Sequence, residues 1–358
     1  MLKIVKENIE RLEKNDFYLY FFVLDTKGNP SSALEYIYKT ALVLSKEGYN
    51  VKLLHQEKDF IGVGEWMGEE YANLPHANVE TENVEITASD FLFIPEIFAN
   101  VMMQTKKLPC KRVILVQNTD NIAEFMPVSQ SFENLGITDA VVTTKNNEAK
   151  FKDYFPEVRT HIVSPSISPM FHRSDKAQKL LINVISKDQT YVNRLVKPFY
   201  WKNPIYKFVS FRDLRGLPME NFADALREGA ITVWMDDLTT FGYTLLESIK
   251  SGSIVFAKVP DTPSDWMLDE KGNLTDKVIW FDRIDDAVDM LPAAVRSWTR
   301  FEIPDDVYEE AKAFDNLYTE DVQKNEIVQV YKKEFIDRRL QDFNEVLAEV
   351  NAAIAKEE

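Results

Sequence analysis

The sequence predicts an α/β protein built as two doubly wound, Rossmann-like domains with a helical segment at the C-terminal end. Three observations predict it. The chain has 358 residues, more than twice the roughly 150 of an ordinary domain. Apolar runs of strand length alternate with amphipathic segments of helical length, the pattern of sheets covered by crossover helices. The alternation comes in two series, separated by a polar stretch from Ser164 to Lys176 that contains Pro165 and Pro169.

Leu2, Val5, Ile9 and Leu12 share one helical face, so the chain opens with an amphipathic helix. Lys3, Lys6, Arg11 and Lys14 make it locally basic. That is the one argument for peripheral membrane contact, and packing on a core is the preferred reading. The apolar run Phe17 to Leu24 reads as a strand buried on both faces. Gly28, Asn29 and Pro30 then break the chain. Ser31 and Ser32 cap a helix over 33–46 that ends at Gly48, ahead of a strand over 51–54. Strands follow at 91–94, 112–116, 140–143 and 160–163, with helices over 97–107 and 147–154. The second series has strands at 180–185, 206–210, 231–235, 253–257 and 278–281, and a helix after Pro218 with Glu220 in its first turn. Phe335, Leu340, Phe343, Leu347, Val350 and Ile354 stripe a long last helix. The expected organisation is domain one over 1–169, a linker over 170–178, domain two over 179–318 and a helical segment over 319–358 packing on the domains.

Composition excludes several classes of function. Forty-two basic against 58 acidic residues give a net charge of -16, which repels a polyphosphate backbone, so no nucleic-acid partner is expected. Cys110 is alone, which rules out an intrachain disulfide and a cysteine-based zinc cluster. His55, His76, His161 and His172 lack ligand spacing, so no metal is expected. Charges interrupt any signal-peptide core at the N-terminus, and no apolar run approaches the ~18–20 residues that span a bilayer. The expectation is a cytoplasmic protein and not an exported solute-binding one.

Doubly wound sheets bind ligands beyond the carboxyl ends of their strands, often on the open amides of a helix N-terminus. Between the strands at 231–235 and 253–257 lies Asp236-Asp237-Leu238-Thr239-Thr240-Phe241-Gly242-Tyr243-Thr244-Leu245-Leu246-Glu247. Small and hydroxylic residues at that helix start suit an anion, and Gly242 would let a ligand approach the backbone. Glu247, about two turns in, could accept hydrogen bonds from the vicinal hydroxyls of a ribose. The ordinary alternative is a packing helix with Leu245, Leu246 and Ile249 buried and Glu247 solvated.

This stretch resembles the signature of the retaining GT-B glycosyltransferases, in which two Glu residues separated by seven others surround a Phe-Gly. Phe241, Gly242, Leu245, Leu246, Glu247, Ser251, Gly252 and residues 254–257 fit it. The segment from His161 to Phe171 is similar to the family's close of domain one. The resemblance implies a GT-B fold of two domains facing a cleft, and transfer of a sugar from a nucleotide-sugar co-substrate to an acceptor with retention of configuration. It implies no metal and no other cofactor. Glu247 matches the second Glu, which holds the nucleotide ribose, while Thr239 stands where the first contacts the transferred sugar and departs from the pattern. Lys187 and Arg194, with Lys197 third, are the nearest matches to the cations that neutralise the diphosphate. Thr240, Phe241, Gly242, Tyr243 and Thr244 would complete the donor side, with Arg212 at the base. The family's paired glycines after the first strand reduce here to Gly28, and its His after a later strand is replaced by Gln117 and Asn118, nominated as cleft-facing polar groups.

Two competing motifs are weaker. Gly62, Gly64 and Gly68 suggest a dinucleotide loop but do not join a strand directly to a helix, and the segment is read as a mobile loop. Asp236-Asp237 suggests a metal-binding acidic pair but comes late in the chain, so capping of a turn is preferred. The rival to an enzyme is a GT-B-like binding or interaction protein without activity, favoured by Thr239. The acceptor (sugar, lipid-linked or protein) is left open.

Overall fold

The computed structural model describes residues 2–174, 176–236, 241–300, 314 and 316–357. The chain divides into two compact units. Unit 1 comprises residues 1–164 and 323–358, and unit 2 residues 165–322. The sequence places the crossing at 170–178, whereas the contacts change unit between Ser164 and Pro165.

Unit 1 begins with α1 (Leu2–Glu13), β1 (Tyr18–Phe22), α2 (Ser32–Lys46) and β2 (Asn50–His55), then the short helices α3 (Gly64–Met67) and α4 (Glu69–Ala72). After them come β3 (His76–Asn78), β4 (Phe91–Pro95), α5 (Ala99–Gln104), β5 (Lys111–Val116), α6 (Thr119–Phe125) and α7 (Phe132–Leu135). The series closes with β6 (Asp139–Val142), α8 (Lys145–Tyr154) and β7 (Arg159–Ile162). Among the described residues the strands form one seven-stranded sheet in the order β3-β2-β1-β4-β5-β6-β7, parallel throughout. Parallel pairing buries both faces, which is why β1 and β4 are apolar at nearly every position instead of alternating. Tyr20, Phe22, Leu92, Ile94, Ile114 and Val142 join one face to Phe132 and Phe151 of the helices. Each fully buried Phe contributes roughly 1.5–3 kcal/mol.

Unit 2 contains β8 (Lys179–Ile185), α9 (Gln189–Lys202), β9 (Ser210–Asp213), α10 (Met219–Glu228), β10 (Gly229–Trp234), α11 (Tyr243–Lys250), β11 (Ile254–Lys258), β12 (Ile279–Phe281) and α12 (Ile284–Thr299). Its five-stranded sheet, among the described residues, is parallel in the order β12-β11-β10-β8-β9. The helix α13 (Glu320–Gln329) carries the chain back into unit 1. A π-helical stretch, Val330–Asp337, seats Tyr331 and Phe335 on Phe93, and α14 (Arg338–Glu357) packs against α1. Arg339 of α14 donates to the Ala88 carbonyl.

Several elements depart from the sequence reading. The strand expected at 206–210 forms at Ser210–Asp213, because Pro204–Tyr206 make a 3-10 turn, and Tyr206 and the following Val209 are buried in the core before the strand begins. The segment read as a mobile loop holds α3, anchored by buried Val63 and Trp66. β3, at three residues, is too short to show periodicity. No described helix is long and apolar enough to cross a membrane.

Candidate functional site

The connectivity of unit 2 locates a crevice. β8 leads through α9 to β9 on one side, while β10, on the other side of β8, leads through α11 to β11. The two helices leave adjacent strand ends in opposite directions, and that divergence is the switch point at which open α/β sheets take ligands. Met235 donates to the Ile185 carbonyl (3.0 Å), holding the two strand ends together. One step further, the Lys187 amide donates to Asp236 Oδ1 (2.8 Å). Asp236 therefore ties one strand-end loop to the other, a contact across the loops and not the cap of a turn of its own. Asp237, Thr239 and Thr240 lie outside the described residues.

Asp188 caps α9, accepting from the Thr190 amide (2.7 Å), and that hydrogen bond holds its carboxyl below the usual range. Lys187 precedes the cap and Arg194 lies on the second turn of α9, both exposed. Neither cation has an ion-pair partner among the described residues.

α11 starts at Gly242, whose φ of 75° is left-handed. The surroundings of this glycine are side chains of unit 2: a Cβ there would lie 3.1 Å from Trp266 Cζ2 and closer still to the Met267 terminal methyl. The sequence assigned Gly242 to ligand approach, whereas the structure assigns it to a left-handed turn packed under Trp266 and Met267. Phe241 and Tyr243 also sit in the core. Phe241 accepts from Trp266 Nε1 through its carbonyl (2.6 Å), and its ring meets those of Tyr243 and Tyr318 edge-on. Thr244 is half-buried and its carbonyl accepts from Ser248. Glu247 is buried at 6% exposure, not solvated as a plain surface helix would have it.

Arg212, expected just beyond a strand, lies inside β9 with its guanidinium paired to Glu228. Glu228 also binds Lys179, the first residue of β8. Arg212 thus points to the amino end of the sheet, away from the crevice.

Unit 1 has its own switch point, between β1 and β4. Asp25, just past β1, is buried; burial would raise its pKa, but the Ile61 amide and the Lys27 amide and ammonium hold it down. The loop it shapes carries Gly28, at φ 77°, which faces the Glu65 carboxylate of α3. Glu96, just past β4, is 4% exposed. Burial pushes its carboxyl above the usual range despite hydrogen bonds from Asn121, Gln117 and Asn118. Gln117 and Asn118 do meet here, but with partners of their own. Gln117 Nε2 donates to the Ala33 carbonyl (3.0 Å) and Asn118 caps α6 through the Asp120 amide (2.9 Å). Sequence reasoning did not single out Asp25, Glu96 or Asp188; for Asp25 and Glu96 the available signal was a carboxylate directly after an apolar strand run, and for Asp188 a helix-capping Asp before Gln189 and Thr190.

No protein-family model matches the sequence, and no curated protein matches it. Solved structures do. A sucrose-phosphate synthase from Thermosynechococcus elongatus is similar at TM-score 0.54 and 9% identity, covering 94% of this chain and 99% of that one. A glycosyltransferase from Rickettsia africae is similar at 0.53 and 10%, covering 93% and 98%. Anabaena HepE in complex with UDP is similar at 0.51 and 8%, covering 93% and 99%. The fold is GT-B. At these identities the likeness establishes architecture, two parallel sheets with a helical C-terminal segment, and nothing finer.

Proposed function

We propose that the chain is a glycosyltransferase that takes a nucleotide-sugar donor at the β8/β10 switch point of unit 2 and transfers the sugar, with retention, to an acceptor recognised by unit 1. One observation carries the reading. The segment that resembles the retaining GT-B signature follows β10 directly, at the strand end where topology alone puts a ligand. The solved neighbours support it through their printed activities, and the HepE complex makes UDP the first nucleotide to test.

In this reading the donor diphosphate lies against the amide end of α9, where helix polarity favours negative charge. Lys187 and Arg194 meet the charge that grows on the leaving diphosphate as the glycosidic bond breaks, the stage at which preorganised cations lower the barrier most. Glu247 holds the ribose hydroxyls from a site withdrawn from bulk water, where a charged hydrogen bond is stronger than at the surface. Thr239 stays assigned to the transferred sugar, and Thr240 and Thr244 to the donor side. Phe241, Gly242 and Tyr243 serve by shaping the start of α11. Gly28, Gln117 and Asn118 border the acceptor side.

Replacing Glu247 with Ala is expected to cost roughly 1–3 kcal/mol of donor binding, about ten- to hundredfold in Kd. Calorimetry on the folded variant checks it, and an unchanged nucleotide affinity removes Glu247 from the site. Thr239 in place of a carboxylate favours the second reading, a GT-B-like binding protein without activity. Release of nucleoside diphosphate from a sugar nucleotide by the purified chain separates the two, since a binding protein turns over none.

A further inference from the structure

Between Gln189 and Arg212 the sequence contains Arg194, Lys197, Lys202, Lys207 and Arg212 and no Asp or Glu, in a chain whose net charge is -16. The same segment carries the most exposed large apolar side chains among the described residues of unit 2. Trp201 is 76% exposed, Ile205 74% and Phe208 63%. Lys197 and Trp201 follow one another at helical i, i+4 spacing on α9, so they share a face. Ile205, Lys207 and Phe208 continue from it on the turn before β9.

The turn is built firmly. Tyr200 Oη donates to the Val209 carbonyl (2.6 Å), Asn203 Nδ2 donates to the Phe199 carbonyl (3.0 Å), and the Val209 amide donates to the Tyr206 carbonyl (2.9 Å). Phe208 leans edge-on on Tyr206, which stacks on Phe199. Ordinary packing leaves single apolar residues exposed, but three together on a rigid platform with cations between them form a patch that calls for a partner. Two of the cations are engaged, Lys202 with Asp289 of α12 and Arg212 with Glu228. Lys197 and Lys207 have no ion pair among the described residues.

We infer that this surface is an interfacial anchor for an anionic lipid bilayer. Large apolar side chains that dip below the headgroups, with lysines level with them, are the chemistry of interfacial membrane binding, and Trp is the residue best suited to that boundary. Local positive charge within an acidic protein points to an anionic surface, because the remainder of the chain would be repelled by it. The patch precedes β9 and so lies at the amino ends of the strands, whereas the candidate donor crevice lies at their carboxyl ends. A membrane bound here leaves that crevice uncovered. The inference is independent of the donor reading.

The test is vesicle flotation of the full chain with liposomes of phosphatidylcholine alone or of equal parts phosphatidylcholine and phosphatidylglycerol. The chain is expected to float with the anionic vesicles, more weakly at high salt, and not with the neutral ones. Trp201→Ala with Phe208→Ala is expected to lower partitioning at least about tenfold, and Lys207→Gln about fivefold. These side chains are exposed, so thermal unfolding should be unchanged and a loss of binding reads as loss of the anchor. Failure of the wild-type chain to float with anionic vesicles, or flotation indifferent to these substitutions, overturns the inference. So does wild-type self-association that the same substitutions abolish, because the patch is then an interface between copies.

Discussion

Gly242→Ala distinguishes a glycine kept for packing from one kept for a ligand. The substituted residue must hold φ near 75°, which costs an L-residue roughly 1–2 kcal/mol. Its Cβ must also displace the Met267 methyl and press on Trp266 Cζ2 at 3.1 Å, in a core where Met267 is fully buried. Overpacking of that kind costs about 1–3 kcal/mol, so the expected loss is about 2–5 kcal/mol from unit 2. Urea unfolding followed by tryptophan fluorescence reads it well, because Trp201, Trp234, Trp266, Trp280 and Trp298 belong to unit 2 and only Trp66 to unit 1. The two units need not unfold together, so the fluorescence transition should shift while a circular-dichroism component from unit 1 stays in place. An unshifted fluorescence transition, with nucleotide binding weakened, would refute the packing account and restore the ligand-approach role.

Three further outcomes are expected. Asp139 is buried between Lys111 (2.5 Å), Arg159 (2.9 Å) and His161 (3.2 Å); burial pushes its carboxyl up, but His161, Arg159 and Lys111 together hold it far below the usual range. Asp139→Asn should cost about 3 kcal/mol, the low end for a broken buried pair because Arg159 is half exposed. A depressed carboxyl means the unfolded chain binds the proton more readily. Asp139 therefore stabilises fully above its unfolded pKa of about 3.9, and acid titration of stability should show the loss only as pH falls below that. His55, stacked on Phe60 and 3.3 Å from His76, is depressed by burial and by His76, so its contribution is present above pH ~6.5 and lost on acidification through its folded pKa. His55→Leu should flatten the fall in unit 1 stability between pH 7 and 5 measured by urea denaturation; an identical slope would contradict this.

How legible the molecule is from sequence depends on which force sets each element. The buried strands are plain to read, since two-sided burial leaves continuous apolar runs such as Phe17 to Leu24 and Phe91 to Pro95. With helices between them, the doubly wound order follows. β9 is displaced by four residues because Tyr206 and Val209 are buried by a turn, and an apolar residue does not announce which element buries it. The site is less legible for a related reason. Asn118 and Gln117 look like ligand groups in sequence, yet a polar side chain beside a strand end is equally suited to cap a helix, and Asn118 does. Arg212 shows a charge without its partner, which becomes visible only when α10 brings Glu228 alongside.

The central claim, a nucleotide-sugar site in unit 2, is tested most directly by thermal unfolding of the full chain, followed by tryptophan fluorescence, with a panel of nucleoside diphosphates and their sugars. A ligand at 100 times its Kd should stabilise the unit that binds it by about 2.7 kcal/mol. The account predicts that at least one nucleotide, UDP first, raises the unit 2 transition and that Glu247→Ala removes most of the rise. No shift with any member of the panel, or a shift that survives Glu247→Ala intact, would contradict it.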